Sequence, residues 1–214
     1  MFSGSRTLLV LITVLGLGLG VSACTPVGLV LGGAAGVGVS AYSERGVDGV
    51  ARDLALTSRV LEKLSSHDHT FIAKVGVDVY ESRALLTGQL DSEDQRADAV
   101  RLAWQVDGIV DVINEIHVTT EGGILNTARD AWISTQLEAK LTFDKKVLAI
   151  NYMIETTGAT VYLMGIAQSD TELQRVRDHA RSIDYVRRIV SHVRVKQPLP
   201  DYDPNTAPNT ASVK

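Results

Sequence analysis

The strongest constraint on the fold is an internal repeat: residues 132–195 align without a gap on residues 55–118, 77 positions earlier in the chain. Identical residues are few, but the apolar pattern also coincides between the two copies. The identities include Leu64/Leu141, Leu86/Leu163, Gly88/Gly165, Ser92/Ser169, Ala103/Ala180, Asp107/Asp184 and Val118/Val195. The sequence therefore predicts two tandem copies of one small domain.

Size and charge narrow the class of protein further. A copy of about 65 residues buries only a modest share of its surface on folding, so we expect the two copies to pack on each other or on a partner. The chain has 21 Lys and Arg residues against 25 Asp and Glu residues. This balance gives no overall attraction to nucleic acid, so nucleic acid is not expected as a partner.

The segment 1–23 has the pattern of an export signal. Arg6 supplies a basic start, Leu8 to Val21 form an almost wholly apolar run, and Val21-Ser22-Ala23 ends it with small residues. This run is too short for a transmembrane helix, which needs roughly 17 to 25 residues. Cleavage is therefore favoured over retention as an anchor.

Cys24 follows this segment directly, and it is the only cysteine of the chain, which rules out an intramolecular disulfide. Val21-Ser22-Ala23-Cys24 resembles the lipobox of bacterial lipoproteins, in which the cysteine becomes the acylated first residue. With Thr25 next, the resemblance implies a lipid-anchored protein on the periplasmic face of the outer membrane. The alternatives are an unmodified thiol and an uncleaved apolar anchor.

Composition divides the rest of the chain into segments. Residues 24–47 are rich in Gly and Ala and are expected to form a tether, residues 120–127 contain Gly122-Gly123 and are expected to form a linker, and the Pro-rich residues 197–214 are expected to be disordered. The two domains then span 48–119 and 128–196. Gly28, Gly32 and Gly36 also match a helix-packing pattern, which leaves a helix in the tether as an alternative.

Within each copy, the hydrophobic periodicity predicts helix, strand, strand, helix, strand. Leu56, Val60 and Leu64 have the spacing of the buried stripe of a helix, whereas Val75, Val77 and Val79 alternate as in a half-buried strand. The predicted fold is therefore α+β, with two αββαβ domains. Each domain has a three-stranded sheet packed on two helices.

Short links and caps mark the remaining elements. Residues 81–83 and 158–160 predict hairpin turns between the first two strands. Ser92 and Ser169, each followed by acidic residues, predict the N-caps of the second helices. These helices are predicted to end near Asp107 and Asp184, and residues 110–118 and 189–195 to form the third strands.

A known family shares these features. Residues 106–116, Val-Asp-Gly-Ile-Val-Asp-Val-Ile-Asn-Glu-Ile, resemble the closing motif of BON domains, and Gly88 matches the family's strand glycine. The second copy departs at Tyr185 and Ser191, but residues 132–135 and 161–165 resemble the second domain of DolP-type dual BON-domain outer-membrane lipoproteins. The resemblance implies non-catalytic modules that associate with phospholipid membranes and support envelope integrity.

Catalytic, metal and cofactor sites are not expected. The five histidines are dispersed, and the sequence has no nucleophile motif, phosphate loop or metal-ligand cluster. His67-x-His69 is the one metal candidate, and a solvated loop is favoured for it. Gly88 and Gly165 lie inside predicted strands and are expected to be structural. A glycine in a strand allows a bulge or a close approach of neighbouring backbone, such as the backbone of the packed helix. Gly108, in the closing motif, is also expected to be structural.

The helix predicted for residues 126–141 carries a candidate binding site. Its core positions are Ile133, Leu137 and Leu141. Trp132 therefore lies on a neighbouring side of the helix together with three polar or basic residues, and two lysines follow further along the chain. Tryptophan and basic side chains favour the surface of an anionic membrane. The candidate phospholipid-binding residues are Arg129, Trp132, Gln136, Lys140, Lys145 and Lys146.

Two questions stay open at this point. Trp132 could instead pack between the two domains, and the domains could bind another envelope protein as an adaptor. The first copy has a basic line of Arg52, Arg59 and Lys63 with Ala55 in place of the tryptophan. Binding of anionic phospholipid is therefore predicted for the second copy. The oligomeric state does not follow from the sequence.

Overall fold

A computed structural model describes residues 43–119 and 127–197. The predictions for the signal segment, Cys24, most of the tether, most of the linker and the Pro-rich tail concern residues outside these ranges. The described residues form two units, here called the first unit (43–119) and the second unit (127–197).

Each unit has the predicted α+β order of helix, strand, strand, helix, strand. The first unit adds one short helix after the first, and the second unit has a 3₁₀-helix, Ala149–Asn151, at the same place. The elements of the first unit are α1 (Gly46–His67), α2 (Thr70–Lys74), β1 (Val75–Tyr80), β2 (Arg83–Leu90), α3 (Glu93–Trp104) and β3 (Asp111–Val118). Those of the second are α4 (Thr127–Phe143), β4 (Tyr152–Thr157), β5 (Thr160–Ala167), α5 (Asp170–Arg181) and β6 (Arg188–Val195).

The two sheets have the same topology. In the first unit β1 and β2 pair antiparallel, and β3 lies parallel to β2, so that the strand order is β1-β2-β3. The order β4-β5-β6 repeats this arrangement in the second unit. A parallel pair needs a crossover connection, and α3 and α5 provide it.

The helices cover one face of each sheet and form its core. Leu56, Val60 and Leu64 are buried on α1 and belong to one apolar cluster with Val75 and Val77 of β1. Ile133, Leu137 and Leu141 of α4 are buried in the equivalent cluster of the second unit. Full burial of such a side chain stabilises a fold by about 1.5 to 3 kcal/mol, so this predicted apolar stripe anchors each helix.

Helices α3 and α5, which connect the parallel strands, begin as predicted but end earlier. Ser92 Oγ accepts a hydrogen bond from the Gln95 amide at 3.2 Å, and Ser169 Oγ accepts one from the Glu172 amide at 3.2 Å. The helices end at Trp104 and Arg181, so the predicted ends near Asp107 and Asp184 are wrong. The predicted ends were too late because Val106 and Ile183, in the turns that follow the two helices, are also buried. Their apolar side chains therefore continue the pattern of the helix beyond its end.

Two strand glycines allow a close approach of backbone. Gly88 has φ +115°, and a Cβ atom there would lie 2.0 Å from the carbonyl oxygen of Lys74. Gly165 has φ +144°, and its Cβ would lie 2.1 Å from the carbonyl oxygen of Asn151. The expected close approach of backbone is present, but it comes from the residue just before the first strand and not from a long packed helix. This residue is Lys74 at the end of α2 in the first unit and Asn151 at the end of the 3₁₀-helix in the second.

Two buried aspartates that were not predicted from the sequence hold the hairpin turns. The turn residues Glu81 and Ser82 both have positive φ, as do their counterparts in the second unit. Asp53 accepts the amide protons of Glu81 and Ser82, each at 2.9 Å, through its two carboxylate oxygens. Asp130, the counterpart of Asp53 in the second copy, accepts those of Gly158 and Ala159 at 2.8 and 2.9 Å. The repeat therefore extends further toward the amino terminus than residue 55.

The faces of the two sheets that carry no helices pack on each other. Tyr80, Leu85, Tyr162 and Met164 form a buried apolar cluster there. The Tyr80 hydroxyl donates to the carbonyl oxygen of Asn151 at 2.9 Å, a bond between the two units. The expectation that the units contact each other is confirmed, and the helices lie on the two outer sides of the pair.

Candidate functional site

Helix α4 presents one side to solvent on the outer surface of the second unit. Its Ile133, Leu137 and Leu141 side chains are buried against β4 and β5, whereas 42% of the Trp132 side chain is exposed. The units meet through the sheet faces that carry no helices. Trp132 belongs to a helix on the other face, so it lies outside the contact between the units. Of the two positions that the sequence left open for Trp132, the structure therefore shows the outer one.

The candidate residues of α4 follow one line along the helix. An α-helix turns by about 100° per residue, so the angle around the helix axis from Trp132 is at most about 80° for Arg129, Gln136 and Lys140. Trp132 and Lys140 are exposed, and the other two are partly buried. Phe143 lies about 16 Å further along almost the same line, and 85% of it is exposed. Sequence reasoning missed Phe143, although its place about three helical turns beyond Trp132 could have indicated it.

Tyr185, from the loop between α5 and β6, joins this surface. The centroids of the Tyr185 and Trp132 rings are 6.1 Å apart, and the rings meet edge to face at 70°. The Arg129 guanidinium lies 5.1 Å from the centroid of the Tyr185 ring. Tyr185 is 64% exposed. We call the surface made by Arg129, Trp132, Gln136, Lys140, Phe143 and Tyr185 the aromatic face.

Lys145 and Lys146 follow Phe143 in the loop at the end of α4, so they extend the aromatic face without contacting Trp132. Both side chains are exposed, and Leu148 beside them is 49% exposed. The neighbouring Asp144 carboxylate bonds to His179 at 2.7 Å and to Arg175 at 2.6 Å. The hydrogen bonds from His179 and the Lys146 amide, in that order, hold the pKa of Asp144 well below its usual range.

The carboxylates of α4 are turned away from the aromatic face. Asp130 is buried and bonded to the hairpin turn. Glu138 lies about 120° around the helix from Trp132, and partial burial raises its pKa. The cations on this side therefore have no carboxylate of the same helix between them.

The equivalent surface of the first unit lacks the aromatic rings. At the positions of Trp132, Phe143 and Tyr185 it has Ala55, Ser66 and Gly108. Its cations remain, because Arg52 and Lys63 stand where the second unit has Arg129 and Lys140. The three aromatic side chains therefore distinguish this surface of the second unit from the equivalent positions of the first.

The histidines are engaged in separate polar contacts. His67 lies 3.5 Å from Asp98, and His69 Nδ1 lies 3.4 Å from Ser65 Oγ. Within residues 43–119 and 127–197 no group of three or more His, Cys, Asp or Glu side chains could hold a metal ion. In the same part of the chain, no helix combines the length and apolar character needed to cross a membrane.

Comparison with known proteins identifies the class. A family model of the BON domain matches residues 52–120 and again residues 129–197, which together are more than half of the chain. The chain belongs to the BON-domain family and contains two of these domains. The α+β fold with two three-stranded sheets agrees with this assignment.

Individual relatives each match more than half of the chain. An uncharacterized protein in the gshII 5′ region of Anaplasma centrale is 38% identical over 145 residues, which cover 67% of this chain and 95% of that protein. Osmotically-inducible protein Y of Escherichia coli is 28% identical over 67% of this chain and 73% of its own. The outer membrane lipoprotein DolP of Haemophilus influenzae is 30% identical over 52% of this chain and 57% of its own.

Proposed function

We propose that this protein is a non-catalytic lipoprotein of the bacterial outer membrane that binds anionic phospholipid through its second BON domain and supports the integrity of the cell envelope. The observation that carries the proposal is the difference between the two units. Three exposed aromatic side chains occur on the second unit where the first has Ala55, Ser66 and Gly108.

The chemistry of the aromatic face supports this function. Tryptophan and tyrosine favour the interface between lipid headgroups and acyl chains, because their rings are apolar and carry a polar edge. A lysine or arginine near an anionic membrane contributes about 1 kcal/mol to binding. Lys140, Lys145 and Lys146 are exposed around Trp132 and Phe143, so burial of the rings and attraction of the charges act at one surface.

The relation to a protein whose name describes an outer membrane lipoprotein supports the predicted anchor. Cys24 itself lies outside the described residues. One acyl chain gives only reversible membrane binding, whereas several hold a protein almost permanently. With such an anchor, a weak aromatic face would act as a second contact that orients the second BON domain on the membrane.

Vesicle binding tests the proposal. The mature chain from residue 24, carrying Cys24→Ser so that no acyl anchor intervenes, should bind phosphatidylglycerol vesicles, and high salt should release it because ions screen the charges. Trp132→Ala together with Lys140→Glu should weaken binding by about 100-fold or more. Because both side chains are exposed, this variant should change the free energy of unfolding by less than about 1 kcal/mol.

The first unit provides matched controls. Lys63 occupies the position of Lys140, and Arg59 that of Gln136, and both are exposed. Lys63→Glu and Arg59→Glu should each leave most of the binding intact, because Ala55, Ser66 and Gly108 replace the three aromatic residues of the second unit there. A stable Trp132→Ala, Lys140→Glu variant that still binds would show that the aromatic face is not the site.

An adaptor that binds another envelope protein is the second candidate function. The first unit favours it, because Trp104 is 50% exposed and Val110 is 65% exposed there. Exposed aromatic side chains are common at protein interfaces as well as at membranes. Vesicle binding that is equal on neutral and anionic lipid, or no binding to either, would favour the adaptor.

A further inference from the structure

The backbone of Tyr185 has a conformation that disfavours its side chain. Its φ is +71°, in the left-handed region, and its counterpart in the first unit is Gly108 with φ +101°. A bulky side chain at positive φ is uncommon because its Cβ crowds the neighbouring backbone. At Gly108 a Cβ would also lie 3.1 Å from Leu56 Cδ2. Glycine is therefore the residue that this turn favours.

The ring of Tyr185 does not offset this strain by joining the core. It is 64% exposed, and it does not belong to the buried apolar cluster of the second unit. The ring contacts Trp132, edge to face at 6.1 Å, and the guanidinium of Arg129 at 5.1 Å. Strained residues persist where they serve a site, so the contacts on the outer surface indicate what the ring is for.

We propose that Tyr185 is a positioning residue of a phosphodiester site on the aromatic face, and that its ring holds the Arg129 guanidinium and the Trp132 indole for an anionic phospholipid headgroup. A guanidinium carries five N–H donors in a planar fork that matches the geometry of a phosphate, and an aromatic ring beside it helps to hold the plane of that fork. The indole beside it enters the interfacial region of the same lipid surface. This inference rests on the proposed lipid binding and adds the residue that organises it.

The test compares Tyr185→Gly with Tyr185→Phe in the mature chain carrying Cys24→Ser. Glycine restores the residue type of the first unit at this turn, so Tyr185→Gly should have a melting temperature equal to that of the parent chain or higher. It should nevertheless bind phosphatidylglycerol vesicles about five- to ten-fold more weakly, because the ring no longer orients its two neighbours. Tyr185→Phe keeps the ring and should bind within about two-fold of the parent chain.

Other outcomes would overturn the inference. If Tyr185→Gly binds vesicles as tightly as the parent chain, Tyr185 does not organise the site, and the proposed function survives. If Tyr185→Gly lowers the melting temperature, the ring serves the fold instead. If the parent chain itself does not bind phosphatidylglycerol vesicles, the proposed function and this inference both fail.

Discussion

The carboxylate of Glu115 lies 2.9 Å from the imidazole of His192, and the two residues occupy the same position in the two repeats. In a contact with two-fold symmetry, a residue meets its own counterpart only close to the axis. At this pair, between β3 and β6, the two BON domains therefore meet in the way expected close to a two-fold axis. Divergence of the copies has made this central pair complementary, since an identical pair would place two like groups together.

A second pair of counterparts at this contact predicts a pH dependence of stability. Burial raises the pKa of Asp78 to about 6. Burial, followed by the charge of Asp78, raises the pKa of Glu155 to about 8. Both carboxyls titrate near pH 4 in the unfolded chain, so the folded state binds more protons between about pH 4 and 8. The free energy of unfolding should therefore fall as the pH rises through this window, by an amount on the order of several kcal/mol.

Urea unfolding at pH 5 and at pH 8 measures this effect. Asp78→Asn with Glu155→Gln should flatten the dependence and raise stability at pH 8, because neither side chain can then acquire a charge between the sheets. Asp48→Asn, an exposed change on α1, is the control and should leave the dependence as it is. The same slope in the double variant and the parent chain would contradict the assignment.

Asp53 and Asp130 are expected to be essential to the two hairpin turns. Each accepts two backbone amides at 2.8 to 2.9 Å and is almost fully buried. Asp53→Ala and Asp130→Ala should each lower the free energy of unfolding by about 3 kcal/mol, since two partly buried amides lose a charged acceptor. Denaturant unfolding measures the loss. Asp48→Ala, on the exposed side of α1, should change stability by less than about 0.5 kcal/mol, and a similar effect for all three would refute the assigned role.

Gly88 and Gly165 should tolerate no side chain. Gly88→Ala and Gly165→Ala would place a Cβ 2.0 and 2.1 Å from a carbonyl oxygen, so the strand pairs must separate. We expect each change to lower the free energy of unfolding by more than about 3 kcal/mol. Gly158 is the matched control: it also has positive φ, nothing lies within 4 Å of its Cβ position, and the first unit has Glu81 there. Gly158→Ala should change the melting temperature little, and equal losses at all three glycines would argue against the close approach.

Lipidation of Cys24 predicts both the mass and the location of the mature protein. The chain isolated from membranes should begin at Cys24 and carry acyl groups, and intact-mass measurement with detergent partitioning would show this. Cys24→Ala should release the exported protein from the membrane, because the weak aromatic face alone does not anchor it. A mature chain that still begins at Met1, or a membrane-bound Cys24→Ala variant, would favour an uncleaved anchor instead.

Much of each unit follows from local sequence patterns. The spacing of Leu56, Val60 and Leu64 predicted the buried side of α1, and the hydroxyls of Ser92 and Ser169 marked the helix starts, because these signals depend on neighbours within one or two turns. The line of Trp132 and Lys140 on α4 is a local pattern of the same kind. The helix ends did not follow from the sequence, because buried turn residues such as Val106 continue the apolar pattern.

The sequence by itself thus determined the repeat, the order of elements in each unit and the side of α4 that is buried in its own core. Only the tertiary structure decided which sheet faces meet and which distant residues join the aromatic face. Asp78 and Glu155 alternate with apolar residues as solvent-facing positions do, yet both are partly buried, and the charge of Asp78 acts on Glu155 of the other unit. Tyr185 reaches Trp132 from a loop that is distant in the sequence. Periodicity records how one segment partitions between water and a core, whereas such contacts depend on how separate segments pack in space.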